Sequence, residues 1–165
     1  MKIRSGMGPL GIVALALAAC SMGNGVWRKG AVAQIDEACA EGAIKAADGI
    51  EVIAAQDNEQ KSYELTGKKT VLTSRNILYH FPDGRQAGFS MTRSNQEANV
   101  VIQHVWGKQS GERISADEAQ SAVRAMLDVE RAVENACKVE IVMSTTCSDS
   151  MDCKAVQALV AEHEA

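Results

Sequence analysis

The stretch from Asn76 to Thr92 constrains this chain more than any other. Ile77, Tyr79 and Phe81 fall at alternate positions, as do Ala87, Phe89 and Met91, with Pro82-Asp83-Gly84 between the two sets. Side chains alternate between the faces of a strand, so loop length alone decides whether the two sets meet. A two- or four-residue loop would put them on opposite faces. A three-residue Pro-Asp-Gly loop pairs Phe81 with Arg85 and gathers all six on one face, and it also suits a left-handed glycine at its end. That hairpin is the predicted one, with His80 on the far face opposite Gln86 and near Gly88 and Ser90.

Further strands are expected around it, at Ser62–Thr66, Lys69–Ser74, Asn76–Phe81, Arg85–Thr92 and Asn99–Trp106, where β-branched and aromatic residues sit between turn signals. Residues Ile50 to Ala55 fit either a helical turn or a first strand. From Ala31, residues Val32, Ile35, Cys39, Ala43 and Ala46 recur at helical spacing, ahead of an Asp48-Gly49 stop. Ser115-Ala116-Asp117-Glu118 matches a capping box for a second helix, whose stripe is Ala119, Val123, Met126, Leu127, Val133 and Cys137. Asp128, Glu130, Arg131 and Glu134 are assigned elsewhere around that helix. Val139, Ile141 and Met143 alternate as a last strand. A polar loop follows from Ser144 to Ser150, then a short helix carries Cys153, Val156, Leu159 and Val160. The expected fold is α+β: an N-terminal helix, an antiparallel sheet of about four to six strands, and one long and one short C-terminal helix on one sheet face.

The first twenty residues read as an address. Lys2 and Arg4 precede a 13-residue uncharged run from Met7 to Ala19, too short for the roughly 20 residues that cross a bilayer. The run ends in Leu17-Ala18-Ala19-Cys20. This resembles the bacterial lipobox, which implies recognition of Leu17, Ala18 and Ala19 by a signal peptidase and lipidation of Cys20 through its thiolate. The resemblance further implies cleavage before Cys20 and acylation of the new amino terminus, with palmitate as the expected chain. It covers residues 1–20 alone. Two or more chains anchor a protein stably where one does not. Ser21 follows the cysteine, where an Asp would favour the inner membrane in proteobacterial lipoproteins, so the expectation is the outer membrane, facing the periplasm. Residues 1–19 are thus a cleaved leader and 20–30 a lipidated tether, with three glycines among Ser21–Gly30. Residues 31–165 form a single domain. Trp27, beside Arg28 and Lys29, either rests at the lipid headgroups or packs on the domain.

Four further cysteines remain: Cys39, Cys137, Cys147 and Cys153. An even number in an exported chain reads as two disulfides. Three pairings are open; the favoured one joins Cys147 to Cys153 and Cys39 to Cys137, worth about 2.4 and about 4.7 kcal/mol by loop-closure entropy. No C-x-x-C pair supports zinc. Removal of Lys2 and Arg4 with the leader takes the formal charge from −4 to −6. With a pI near 5.4, nothing favours nucleic acid as a partner.

Catalytic signals are sparse. Only three histidines exist, and no H-x-x-x-H or H-E-x-x-H spacing supports a metal. His104 shares a face with Val100, Ile102 and Trp106 and reads as a hydrogen-bonded, partly buried residue. His163 lies near the C-terminal end, where fraying is expected. Ser90 lacks the strand-to-helix elbow of a hydrolase nucleophile. The remaining candidate is a mildly polar sheet face for a partner, comprising His80, Arg85, Gln86 and Ser90. The leading expectation is a non-catalytic, lipid-anchored envelope protein that binds or assists an envelope partner, with no cofactor beyond the lipid on Cys20. A second is an inhibitor or modulator of an envelope hydrolase acting through a rigid loop at Ser144–Cys153. A third is an enzyme using His80, Asp83 and Ser90.

Overall fold

A computed structural model describes residues 24–63, 67–108, 112–148, 151 and 153–165. The leader, Cys20 and Ser21 lie outside the described residues. In chain order the elements are β1 (Asn24–Val32), α1 (Glu37–Ala46), β2 (Glu51–Tyr63), β3 (Lys69–His80), β4 (Gln86–Ser94), β5 (Val100–Lys108), α2 (Ala116–Cys137), β6 (Met143–Cys147) and α3 (Cys153–Glu164). The six strands form one sheet in the order β2-β3-β4-β5-β1-β6, antiparallel throughout. The fold is therefore α+β.

The central hairpin has the register that its parity demands. Phe81 and Arg85 close it, the Phe81 amide donating to the Arg85 carbonyl at 2.8 Å, and Gly84 takes φ +83°. Tyr79 faces Ala87 and Ile77 faces Phe89 across β3 and β4, and all six apolar residues of the hairpin are buried on one side. The helices cover that side. Ser115 caps α2 by accepting from the Glu118 amide, while the Glu118 carboxylate accepts from the Ser115 amide. Ala119, Val123, Met126, Leu127 and Val133 then reach the core with Ile44 of α1 and Val156 and Val160 of α3. Arginines of two interior strands pin α1 onto the sheet: Arg75 of β3 binds Glu41 at 2.5 Å, and Arg93 of β4 binds Glu37 at 3.0 Å.

Several elements differ from their expected form. The tether is corrected from Asn24 onward, because Asn24–Val32 is a strand held between β5 and β6. Its glycines serve close packing rather than slack. A Cβ at Gly25 would lie 2.4 Å from the Trp106 carbonyl oxygen, and one at Gly30 would lie 2.2 Å from that of Val142. The first described element is consequently a strand, and the helix expected from Ala31 starts at Glu37, where Asp36 accepts from the Cys39 amide at 2.9 Å. The segment Ile50–Ala55 resolves as strand, so β2 starts well before Ser62, and the two strands expected either side of Arg75 are one. The last strand is Met143–Cys147, two residues beyond Ile141, because it pairs with Val26 to Gly30 of β1. Ser144 to Cys147 thus belong to a sheet edge and not to a protruding loop.

A strand inside the sheet brings Arg28 to the helix side, where its alternation with Val26 and Val32 buries it almost completely. Glu130 of α2 meets it. Arg28 Nε donates to Glu130 Oε1 at 2.9 Å, and Nη2 donates to Oε2 at 2.9 Å. The guanidinium also donates to Thr145 of β6 at 2.5 Å and to Glu164 of α3 at 2.9 Å. From the other side, His104 Nδ1 lies 2.8 Å from Glu130 Oε1, and His104 Nε2 lies 2.5 Å from the Tyr79 hydroxyl. An ionised Glu130 can only accept, so Nδ1 carries a proton; in the neutral ring Nε2 then accepts from Tyr79. Burial works against ionising Glu130, but His104 and Arg28 hold its carboxyl below the ordinary range. Burial and the nearby Glu130 charge push the Tyr79 phenol well above its usual value. Glu164 reaching Arg28, and Arg131 donating to the His163 carbonyl at 3.1 Å, tie down the end expected to fray.

The cysteines pair as Cys39–Cys137 and Cys147–Cys153. The first bond joins α1 to the end of α2, whose last turn is followed by Lys138 in the left-handed region at φ 55°. The second joins the end of β6 to the start of α3.

Four outcomes are expected. Replacing Cys39 and Cys137 by Ala should lower stability roughly twice as much as replacing Cys147 and Cys153, since the sequence separations are 98 and 6; urea midpoints measured on both double variants check the order. Glu130→Gln should cost about 3 kcal/mol by removing the buried carboxylate from Arg28 and leaving it the half-exposed Glu164 alone. Arg28→Met combined with Glu130→Leu should lose less than the two single variants together, again read from urea unfolding. Glu130 titrates lower in the folded chain than the unfolded value of 4.5. Its contribution is therefore complete above that pH and lost as pH falls below it. Glu130→Gln should accordingly flatten the acid limb of a stability-versus-pH curve below about 4.5.

Candidate functional site

No described residue covers the side of the sheet opposite the helices, and the strand register arranges its side chains in rows that cross the sheet. One row runs Gln56, Asn76, Ser90, Gln103, Lys29 and Ser144. Beside it runs Ala54, Leu78, Gly88, Val105, Trp27 and Thr146. On the other flank lie Asn58, Ser74, Thr92, Val101 and Ala31. Neighbours along a row are about 4.8 Å apart, so the six-membered rows span about 24 Å. The portion over β2 to β5 forms an open groove of about 720 Å³.

The two faces differ in chemistry. On the helix side every arginine from the sheet and its hairpin has an acidic partner: Arg28, Arg75, Arg85 and Arg93. The three rows of the open side hold one ionisable group, Lys29. Their neutral side chains divide into two groups. Asn76 donates to Ser74 at 3.1 Å, Ser144 to the Lys29 carbonyl at 3.1 Å and Thr146 to the Trp27 carbonyl at 3.3 Å, whereas Gln56, Ser90, Thr92 and Gln103 have no side-chain partner among the described residues. Such groups are ready to exchange water for a ligand's hydroxyl or amide.

Gly88 stands at the middle of this face. It pairs regularly with Leu78 and Val105, and a Cβ built on it would meet nothing within 4 Å. Packing explains Gly25 and Gly30, but no neighbour, bulge or positive φ explains Gly88. A strand-interior glycine weakens its strand and commonly marks a place where something must approach the backbone.

The structure separates the residues expected to form a partner face. His80 and Gln86 are cross-strand neighbours 3.2 Å apart, and Glu51 lies 3.8 Å from His80 Nδ1 at the same end of the sheet. Ser90 is on the same face but four residues along β4 from Gln86, about 13 Å. Arg85 turns to the other side. Its guanidinium donates to Asp83, to the Glu118 carbonyl at 2.8 Å and to Ser121 at 3.2 Å, and it lies 5.4 Å from the Trp106 ring centroid. Pairing with Phe81, a core residue, puts it there. The Arg85 side chain and backbone amide hold the Asp83 carboxyl below its usual range. His80, Asp83 and Ser90 are therefore not brought together as a catalytic set. Trp27, placed in the tether by sequence reasoning, is half-buried on the open face between Val105 and Thr146.

The Tyr79–His104–Glu130 chain has the order of a proton relay, yet Tyr79 and His104 are fully buried and the hydroxyl reaches no cavity. This hydrogen-bonded chain joins β3, β5 and α2 across the core. Among the described residues no cluster of three or more His, Cys, Asp or Glu could hold a metal ion, and no helix is long and apolar enough to cross a membrane.

Glu118, half-buried at the start of α2, is held at a pKa of about 2, first by its bond to Lys108 Nζ at 2.7 Å and then by the Ser115 amide. Its stabilisation is complete above 4.5 and lost as pH falls toward 2, softened by solvent.

No protein-family model matches the chain, and neither does any curated protein. Among solved structures it is similar to the open form of the exocytosis-sensitive phosphoprotein pp63/parafusin, a phosphoglucomutase from Paramecium. That similarity has a TM-score of 0.36 and 10% identity, covering 73% of this chain and 22% of the other. The chain thus spans less than a quarter of that protein.

Proposed function

We propose that the chain is a non-catalytic, lipid-anchored binding module of the bacterial cell envelope, attached through Cys20 and facing the periplasm from the outer membrane. The observation that carries the binding role is the open sheet face, with its uncommitted neutral side chains and the unfilled position at Gly88. The lipobox-like Leu17-Ala18-Ala19-Cys20 carries the anchoring role.

The strand at Asn24 sharpens the geometry of such an anchor. Only residues 21–23 separate Cys20 from β1, which limits the reach to about 14 Å even in extended chain. The flexible tether becomes a short leash. The end of the sheet carrying Asn24, Lys108 and Cys147 would then sit next to the lipid, with the open face upright and free to meet a periplasmic partner. An inhibitor reading loses its main support, because Ser144–Cys147 pairs with β1 in place of protruding.

The expected outcome is that the full-length protein expressed in a bacterium with an outer membrane fractionates with that membrane. The mass of its amino-terminal peptide should begin at an acylated Cys20. Cys20→Ser, or an inhibitor of lipoprotein signal peptidase, should abolish that mass. A soluble protein with an unmodified Cys20 thiol would contradict the anchor.

A further inference from the structure

Resting on the binding-module reading, we infer that the open face takes a neutral glycan strand bearing hydroxyl and acetamido groups, laid across the strands over Gly88. Two adjacent rows give this ligand its recognition. The row Leu78–Gly88–Val105–Trp27 is apolar, dips at the glycine and ends on the only aromatic ring of the three rows. The row Asn76–Ser90–Gln103 beside it offers two amides and a hydroxyl. A pyranose has the matching division: a C–H face that packs on apolar and aromatic surface, and an equatorial rim of hydroxyl and acetamido groups that need paired donors and acceptors.

Charge argues in the same direction. A nucleic acid or an acidic polymer would need a cluster of cations, and the face offers Lys29 in the rows and Lys68 at the groove. A cationic polymer would need clustered acids; the groove's Asp57 and Glu97 lie outside the three rows, and Asp57 is already paired with Arg75. An extended peptide would most readily add to a sheet edge, where backbone groups are open. Both edges are guarded. On β2 the register shifts between Val52 and Ala54, and Asp57, Glu59 and Lys61 follow; β6 is only five residues long and is clipped by Cys147–Cys153. The face, by contrast, is open and roomy at its centre.

Gly88 supplies the test. Because a Cβ there meets no protein atom within 4 Å and the face beyond it is open, Gly88→Leu should fold normally while filling the trough. The lipidated full-length protein in detergent is titrated with the hexamer of N-acetylglucosamine by calorimetry, with tryptophan fluorescence followed in parallel. Saturable binding with a change in tryptophan emission is expected. Gly88→Leu and Gln103→Ala should each weaken it about tenfold or more, with unchanged unfolding midpoints, and the de-acetylated cationic hexamer should bind at least as much more weakly. Failure to saturate at millimolar sugar, or equal binding by Gly88→Leu, would overturn the glycan assignment. A photocrosslinker at Ser90 in intact cells separates this from the parent reading. A specific protein adduct in place of glycan would retain the binding module and discard the glycan. No adduct of either kind, with no sugar binding, would discard both.

Discussion

The Arg28–Glu130 contact is the interaction on which the arrangement of this molecule turns. A guanidinium with 1% exposure and a carboxylate with 5% would each be costly to bury alone. Paired, and satisfied further by Thr145, Glu164 and His104, they join β1, β5, β6, α2 and α3 through one polar centre. The pair also fixes register. Shifting β1 by one residue would carry Arg28 to the open side and leave Glu130 buried against apolar neighbours. Polar specificity of this kind complements the Cys39–Cys137 bond, which ties α1 to α2 at a separate point on the same helical layer.

With the helical side closed in this way, the two faces of the sheet serve different purposes. One is sealed, its charges neutralised in pairs and its aromatic residues packed. The other is covered by none of the described residues and carries scattered charges, Lys29 in its rows and His80 beside Glu51 at one end, with a glycine where a Cβ meets nothing. Antiparallel sheets often expose one face to water without further meaning. Here the missing side chain at Gly88, flanked by Leu78 and Val105, separates this face from an ordinary solvated one.

How much of this was legible in the sequence depended on whether the governing signal was local. The Phe81–Arg85 hairpin follows from parity and turn chemistry within a few residues, and the Ser115–Glu118 box from spacing alone. The favoured cysteine pairing matches the bonds found, since an even count and loop length narrow the choices. Arg28 and Trp27 were misplaced because three glycines between Ser21 and Gly30 imitate a linker. The actual reason for Gly25 and Gly30, close approach of Trp106 and Val142, lies far along the chain. Glu130 was assigned elsewhere around the helix than its apolar stripe, although it falls three residues after Leu127 and three before Val133, squarely on that stripe of α2. That position was the available sign of a buried ion pair. The open face could be seen only as far as β3 and β4, because β1 was needed to extend its rows to Lys29 and Trp27.

The most direct test of this account is amide hydrogen exchange along residues 24–32. If Arg28 holds β1 between β5 and β6, the amides of Val26 to Val32 that bond those strands should exchange among the slowest in the chain, close to the rate set by global unfolding. Exchange there at the rate of an unstructured chain would mean that this segment is a tether after all, and the continuous open face would no longer exist.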